Sequence, residues 1–146
     1  MKRIAILASG EGTNAENIIR YFSERKTAKV VVVITNKAQA GVLNRADKLG
    51  IPTEFIPAQD FTEGRALEVL HRYQTDFIAL AGFLLRVPDD ILHDYPNKIV
   101  NIHPALLPKF GGKGMYGNRV HEAVIAAAEK ESGITIHFIN GHYDEG

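Results

Sequence analysis

The sequence contains no cysteine, which excludes a disulfide framework, a thiolate nucleophile and a sulfur-ligated metal. It also lacks net charge: 17 basic residues balance 17 acidic ones. The chain therefore carries no electrostatic footprint for DNA or RNA. Lys2, Arg3, Arg25, Lys26 and Lys29 are scattered and read as solvated surface. No apolar run approaches the roughly 20 residues of a membrane span. The apolar start Ile4–Ala8 is too short for a signal peptide's hydrophobic region and runs into glycine and polar residues. The histidines at 71, 93, 103, 121, 137 and 142 are dispersed without an HExxH pattern, so no metal site is expected. These absences predict a soluble, cytoplasmic protein with no nucleic-acid, membrane or metal partner.

With 45% hydrophobic and 23% charged residues, the 146-residue chain has the size and composition of a single globular domain. Short apolar runs alternate with amphipathic segments. Strands are predicted at Arg3–Ala8, Val30–Thr35, Thr53–Ile56, Asp76–Ala81, Lys98–His103 and Ile134–Ile139. The first helix is expected to start with Asn14 as N-cap and to bury Ala15, Ile18, Ile19 and Phe22. A second, over Val42–Leu49, stops at Gly50. Asp60 and Glu63 stand at capping-box spacing and predict one helix to about Tyr73, with Ala66, Leu67, Leu70 and Tyr73 inward. Pro88 opens and Pro96 closes a helix that turns Ile91, Leu92 and Tyr95 inward, and a last helix is expected over Arg119–Lys130. The long loop Pro104–Asn118, with its prolines and glycines, reads as functional or mobile. Such alternation predicts an α/β fold, a Rossmann-like, three-layer, doubly wound and mostly parallel sheet whose ligands lie beyond the carboxyl ends of the strands. The chain stops in a turn at Asp144–Gly146, so the fold is expected to be C-terminally incomplete.

Three groups of residues carry possible chemistry. In Ser9–Asn14 (SGEGTN) a strand, a glycine loop and a helix start make an anion cradle. It is not a dinucleotide fingerprint, because Ala15 stands where the third glycine belongs and Thr35-Asn36-Lys37 offers no acidic partner. A monophosphate held by Gly12, Thr13 and Asn14 fits better; the other reading is a tight turn with a helix cap. Asn101 and His103 share one face of a strand. Together an amide and an imidazole suit a tetrahedral intermediate, with the amide aimed at an oxyanion and the imidazole moving protons. Taken alone, His103-Pro104 reads first as a strand terminus whose imidazole caps nearby backbone. Asp144, in the turn after Ile134–Ile139, could raise the pKa of a neighbouring imidazole, or be an ordinary turn residue.

Four ordered stretches, ILASGEGTN, LAGFLLRVP, NIHPALLPKFGG and GITIHFINGHYDEG, resemble the folate-dependent formyltransferases, and the first resembles their glycinamide ribonucleotide branch. The resemblance runs from Lys2 to Gly146 and implies one formyltransferase domain over 1–146 that lacks the family's C-terminal part. It implies transfer of a formyl group from 10-formyltetrahydrofolate, as co-substrate, to the amine of glycinamide ribonucleotide in purine biosynthesis. Asn101, His103 and Asp144 fall on the family's catalytic residues, and Gly12, Thr13 and Asn14 on its substrate phosphate loop. Leu84, Leu85, Arg86 and Val87 match the segment lining the pterin pocket, which Asn101 also borders. Asn140, Gly141, His142, Tyr143 and Asp144 match the loop closing over the pterin. Arg86 stands one place later than the family's arginine, and Lys113–Asn118 lengthens its loop. Alternatives are a methionyl-tRNA formyltransferase core, a formyltetrahydrofolate hydrolase and a non-catalytic folate- or nucleotide-binding module. The expected partners are small-molecule substrates, on a monomer or homodimer.

Overall fold

The structure, a computed structural model, describes residues 2–25, 28–104 and 134–138. Six segments form strands: β1 (Lys2–Leu7), β2 (Ala28–Thr35), β3 (Thr53–Phe55), β4 (Phe77–Ala81), β5 (Ile99–Pro104) and β6 (Ile134–Phe138). They pair into one sheet in the order β3-β2-β1-β4-β5-β6. The first five run parallel, and β6 lies antiparallel to β5. Because β1 pairs with both β2 and β4, the strand order reverses there. A doubly wound sheet opens a crevice at such a switch point.

Both faces of the sheet are covered, which is why its central strands are apolar throughout rather than alternating. Ile4, Ile6, Ala8, Val33 and Ala79 pack against Ile18, Ile19 and Phe22 of α1 (Thr13–Arg25) and Val42 and Ala46 of α2 (Gly41–Lys48). On the other face, Ala5, Leu7, Ile34, Ile78 and Leu80 meet three helices: α3 (Ala58–Phe61), α4 (Arg65–Arg72) and α5 (Asp89–Asp94). The register slips between Ile4 and Ala5, which face Val30 and Val32. Val31 is the extra residue, so Val31 and Val32 both join the second face.

Two local expectations are corrected. Helix α1 begins at Thr13, so Asn14 lies inside its first turn and is not the N-cap. Gly12, at φ +84°, turns the chain into the helix and its carbonyl accepts the Glu16 N–H at 2.8 Å. Only glycine adopts that backbone cheaply. The single helix expected from Asp60 to Tyr73 is two helices, broken at Gly64, which takes φ +90°. Asp60 sits within α3 and pairs with Arg65 at 3.5 Å rather than capping, and neither helix has a side-chain cap bond. The inner stripe of the second half stands: Ala66, Val69 and Leu70 are buried, with Leu67 and Tyr73 packed alongside. Gly50 ends α2 at φ +77°, and α5 follows Pro88, both as the sequence predicts.

Among the described residues no helix is long and apolar enough to cross a membrane. The loop beyond Pro104, the helix expected over Arg119–Lys130 and the turn after Phe138 lie outside the described residues.

Candidate active site

Parallel pairing brings the carboxyl ends of β1, β4 and β5 to one edge of the sheet. The register aligns Leu7 with Leu80 and Leu80 with Asn101. Asn101 is half-buried on the last of these strands. His103 lies two residues further along the same strand. Across the antiparallel pair, Asn101 stands opposite His137 and His103 opposite Thr135. His137 was not singled out from sequence, where it is simply a polar residue in an alternating strand; only the register brings it beside Asn101. Asp144 and its neighbours Asn140, Gly141, His142 and Tyr143 lie outside the described residues.

The loop after β1 is fastened residue by residue. The Gly10 carbonyl accepts the Val42 N–H at 3.0 Å, and the Glu11 carbonyl accepts Arg45 Nε–H at 2.7 Å. Gly12 lies against Val42, so closely that a Cβ there would overlap it. Thr13 is exposed and Asn14 half-buried at the start of α1. The N–H groups of that first turn have no intrahelical acceptor, and the positive end of the helix dipole adds to their attraction for an anion. Glu16 is the one carboxylate in the turn. It is drawn sideways by Arg20 at 2.7 Å and by Arg45 at 2.6 Å. Those bonds, Arg20's first and Arg45's next, hold its carboxyl below the ordinary carboxylate range and offset its charge beside the cradle.

The segment after β4 forms the other wall. Gly82, at φ +73°, turns the chain out of the strand. The Phe83 ring lies 5.3 Å from that of Phe61, and Leu85 is half-buried against the same core. Leu84, by contrast, is 72% exposed, a large apolar side chain left at the sheet edge. Arg86 is exposed and pairs with Asp89 at 3.5 Å. Val87 is fully buried, so its side chain belongs to the core and only its backbone remains for a ligand. Ser9, 6% exposed, joins the two walls. Its N–H donates to the Gly82 carbonyl at 3.1 Å, and its Oγ accepts the Leu84 N–H at 2.9 Å. The same hydroxyl donates to Asn36 Oδ1 at 2.6 Å. Ser9 was read only as the first residue of the Ser9–Asn14 loop and Arg45 carried no signal, since the partners of both are distant in the chain. Among the described residues no group of three or more histidine, aspartate or glutamate side chains could hold a metal ion.

The start of α1, an exposed apolar segment and the Asn101 strand end thus lie at the carboxyl ends of three adjacent strands. Residues 2–146 match the sequence profile of the family described as Formyl transferase. The chain is 40% identical over 152 residues to the chloroplastic phosphoribosylglycinamide formyltransferase of Arabidopsis thaliana, covering 99% of this chain and 52% of that protein. It is 36% identical over 152 residues to the phosphoribosylglycinamide formyltransferase of Haemophilus influenzae, covering 100% of this chain and 69% of that one. Among solved structures, glycinamide ribonucleotide transformylase 1 from Symbiobacterium toebii superposes with a TM-score of 0.76 at 34% identity, over 100% of this chain and 69% of that chain. The chain spans about half the length of the plant relatives it matches. A family profile matched from residue 2 to the last residue, with a shared fold and this sheet edge, establishes that the chain belongs to the formyl transferase family, on the branch of the phosphoribosylglycinamide formyltransferases.

Proposed function

We propose that this chain carries the site that moves a formyl group from 10-formyltetrahydrofolate to the amine of glycinamide ribonucleotide. One observation carries the proposal furthest: the start of α1, the Leu84–Val87 segment and Asn101 belong to the carboxyl ends of β1, β4 and β5, three successive strands of the sheet, in a chain whose relatives bear that enzyme's name. The ribonucleotide phosphate binds at Gly12, Thr13 and Asn14. The pterin lies against Leu84, Leu85 and the backbone of Arg86 and Val87, and Asn140–Asp144 closes over it. Holding both substrates in line supplies much of the rate, because it converts a bimolecular encounter into a local one.

The amine nitrogen attacks the formyl carbon and the carbonyl oxygen becomes an oxyanion. The Asn101 amide and the protonated His103 imidazole stabilise that charge. Asp144, acting through water, sustains the imidazolium. The proton lost by the attacking amine goes to the folate nitrogen as its bond to the formyl carbon breaks, giving tetrahydrofolate and the formylated amide.

Purified protein is expected to consume 10-formyltetrahydrofolate only when glycinamide ribonucleotide is present. His103→Ala is expected to lower kcat by about 100-fold or more and to change the Kd for tetrahydrofolate by less than about threefold. Equal loss in both, or in neither, contradicts the role given to His103. Consumption without the ribonucleotide would instead identify a hydrolase.

A further inference from the structure

Ser9 stands where the strand order reverses, between the loop that enters α1 and the segment that leaves β4. It is nearly inaccessible, and its hydroxyl is engaged both as donor and as acceptor. The single hydrogen goes to Asn36 Oδ1 at 2.6 Å, and the oxygen accepts the Leu84 N–H at 2.9 Å. Its backbone N–H meanwhile holds the Gly82 carbonyl at 3.1 Å. One residue therefore grips both sides of the Gly82 turn, and it is contiguous with Gly10, Glu11 and Gly12 of the cradle. Gly82 has nothing within 4 Å of the position its Cβ would occupy. Gly82 itself therefore adds no packing; Phe83 and Leu85 after it rest on the core, and Ser9 supplies the hydrogen bonds that hold the backbone at Gly82 and Leu84.

We infer that Ser9 is a positioning residue for the transfer. Through Leu84 it fixes the folate-side segment, and through the chain it fixes the phosphate cradle, so that the two substrates meet at a set separation. The role rests on the formyl-transfer reading above. It also orients Asn36: with Oδ1 accepting from Ser9, both Nδ2 hydrogens turn away from Ser9. Ser9 touches no reacting atom, so its removal costs alignment rather than chemistry. Leu84, 72% exposed, is the apolar surface that the bond sets in place.

The test compares full-length wild type with Ser9→Ala and Ser9→Thr, well below their melting temperatures. Three quantities are read: hydrogen exchange at the Leu84 amide, the Kd for tetrahydrofolate, and kcat and KM for the formyl donor. Ser9→Ala is expected to speed Leu84 exchange and to weaken tetrahydrofolate about tenfold, the scale of one lost hydrogen bond. KM should rise, and kcat should fall by about tenfold, because lost alignment lowers the rate. Ser9→Thr, which keeps the hydroxyl, should restore all three. Wild-type affinity in a folded Ser9→Ala protein overturns the role, as does unchanged exchange at Leu84. If Ser9→Ala does not fold, Asn36→Ala replaces it. Loss of the acceptor frees the hydroxyl to rotate, and tetrahydrofolate should weaken about threefold; an unchanged Kd overturns the role. Failure of the wild type itself to bind tetrahydrofolate contradicts the formyl-transfer reading, while the Leu84 exchange rate still decides whether Ser9 holds the turn.

Discussion

Gly12 lies against Val42 with no room for a side chain: a Cβ on Gly12 would stand 2.5 Å from Val42 Cγ2 and 2.8 Å from its Cα. Val42 is buried in the core, and one of the two close atoms is backbone, so the contact has no easy relief. Gly12 also holds φ +84°, which an alanine reaches only under strain. Gly12→Ala is therefore expected to destabilise the fold by about 1–3 kcal/mol and to displace the start of α1. In the formyl-transfer reading, KM for the ribonucleotide then rises by about tenfold or more while folate affinity changes little. Thermal melting and separate titrations of the two substrates check this.

Arg45 ties α2 to the cradle from the side, through the Glu11 carbonyl at 2.7 Å and Glu16 at 2.6 Å. Its ion pair is partly exposed and adds at most about 1 kcal/mol to stability. Its larger effect is expected on geometry. Arg45→Met should leave the melting temperature within a few degrees yet raise KM for the ribonucleotide, and added salt should mimic part of the change. Arg45→Lys should recover little, because a compact ammonium lacks the fixed planar fork whose Nε and terminal nitrogen reach the two acceptors at once.

Glu16 gives an acid-side signature. The Arg20 and Arg45 bonds lower its folded pKa, so the stability it contributes is present above the unfolded carboxylate pKa. It is lost as pH falls through the lowered folded value. Near neutrality the slope is zero. Glu16→Gln should flatten acid unfolding on the acidic side of the ordinary carboxylate range and leave the slope at pH 7 unchanged, as denaturant melts at a series of pH values will show.

Tyr95 does the reverse at high pH. Burial, followed by the charges of Asp94 and Asp76, pushes its phenol up to about 12. The hydroxyl donates to the Thr75 carbonyl at 3.1 Å in the core. A raised phenol pKa favours the neutral form in the fold. Its contribution is thus complete below the unfolded value of about 10 and is lost as pH climbs toward 12. Tyr95→Phe should cost about 1 kcal/mol at pH 7 and remove that share of alkaline destabilisation. Thr75 nearby shows the opposite imbalance: its Oγ1 is buried without a hydrogen-bond partner among the described residues. Thr75→Val should be neutral or stabilising by up to about 1 kcal/mol.

Much of this was legible in the sequence, for physical reasons. The run Val30–Ile34 reads as a strand covered on both faces and is one, and the apolar run at Ile99 put Asn101 on a strand. The glycines at 50 and 82 sit where strands or helices end, and both take positive φ. Other features were not legible. The split at Gly64 depends on a glycine that could equally have stayed helical, and the spacing of Asp60 and Glu63 imitates a capping box without forming one. The neighbourhood of Asn101 and His137 follows from strand register, not from sequence distance. The hydrogen bonds of Ser9 reach 27 residues to Asn36 and 75 to Leu84, and no local pattern encodes such partners. Of the proposed catalytic residues, Asn101 and the backbone of His103 can be placed, and Asp144 lies outside the described residues.

The most direct measurement of the central claim is the fate of the formyl carbon. Full-length protein is incubated with isotopically labelled 10-formyltetrahydrofolate and glycinamide ribonucleotide, and the products are resolved by mass. The account predicts labelled formylglycinamide ribonucleotide appearing one for one with tetrahydrofolate, and no consumption of donor when the ribonucleotide is withheld. Label released as formate, or no turnover with both substrates present, would contradict it.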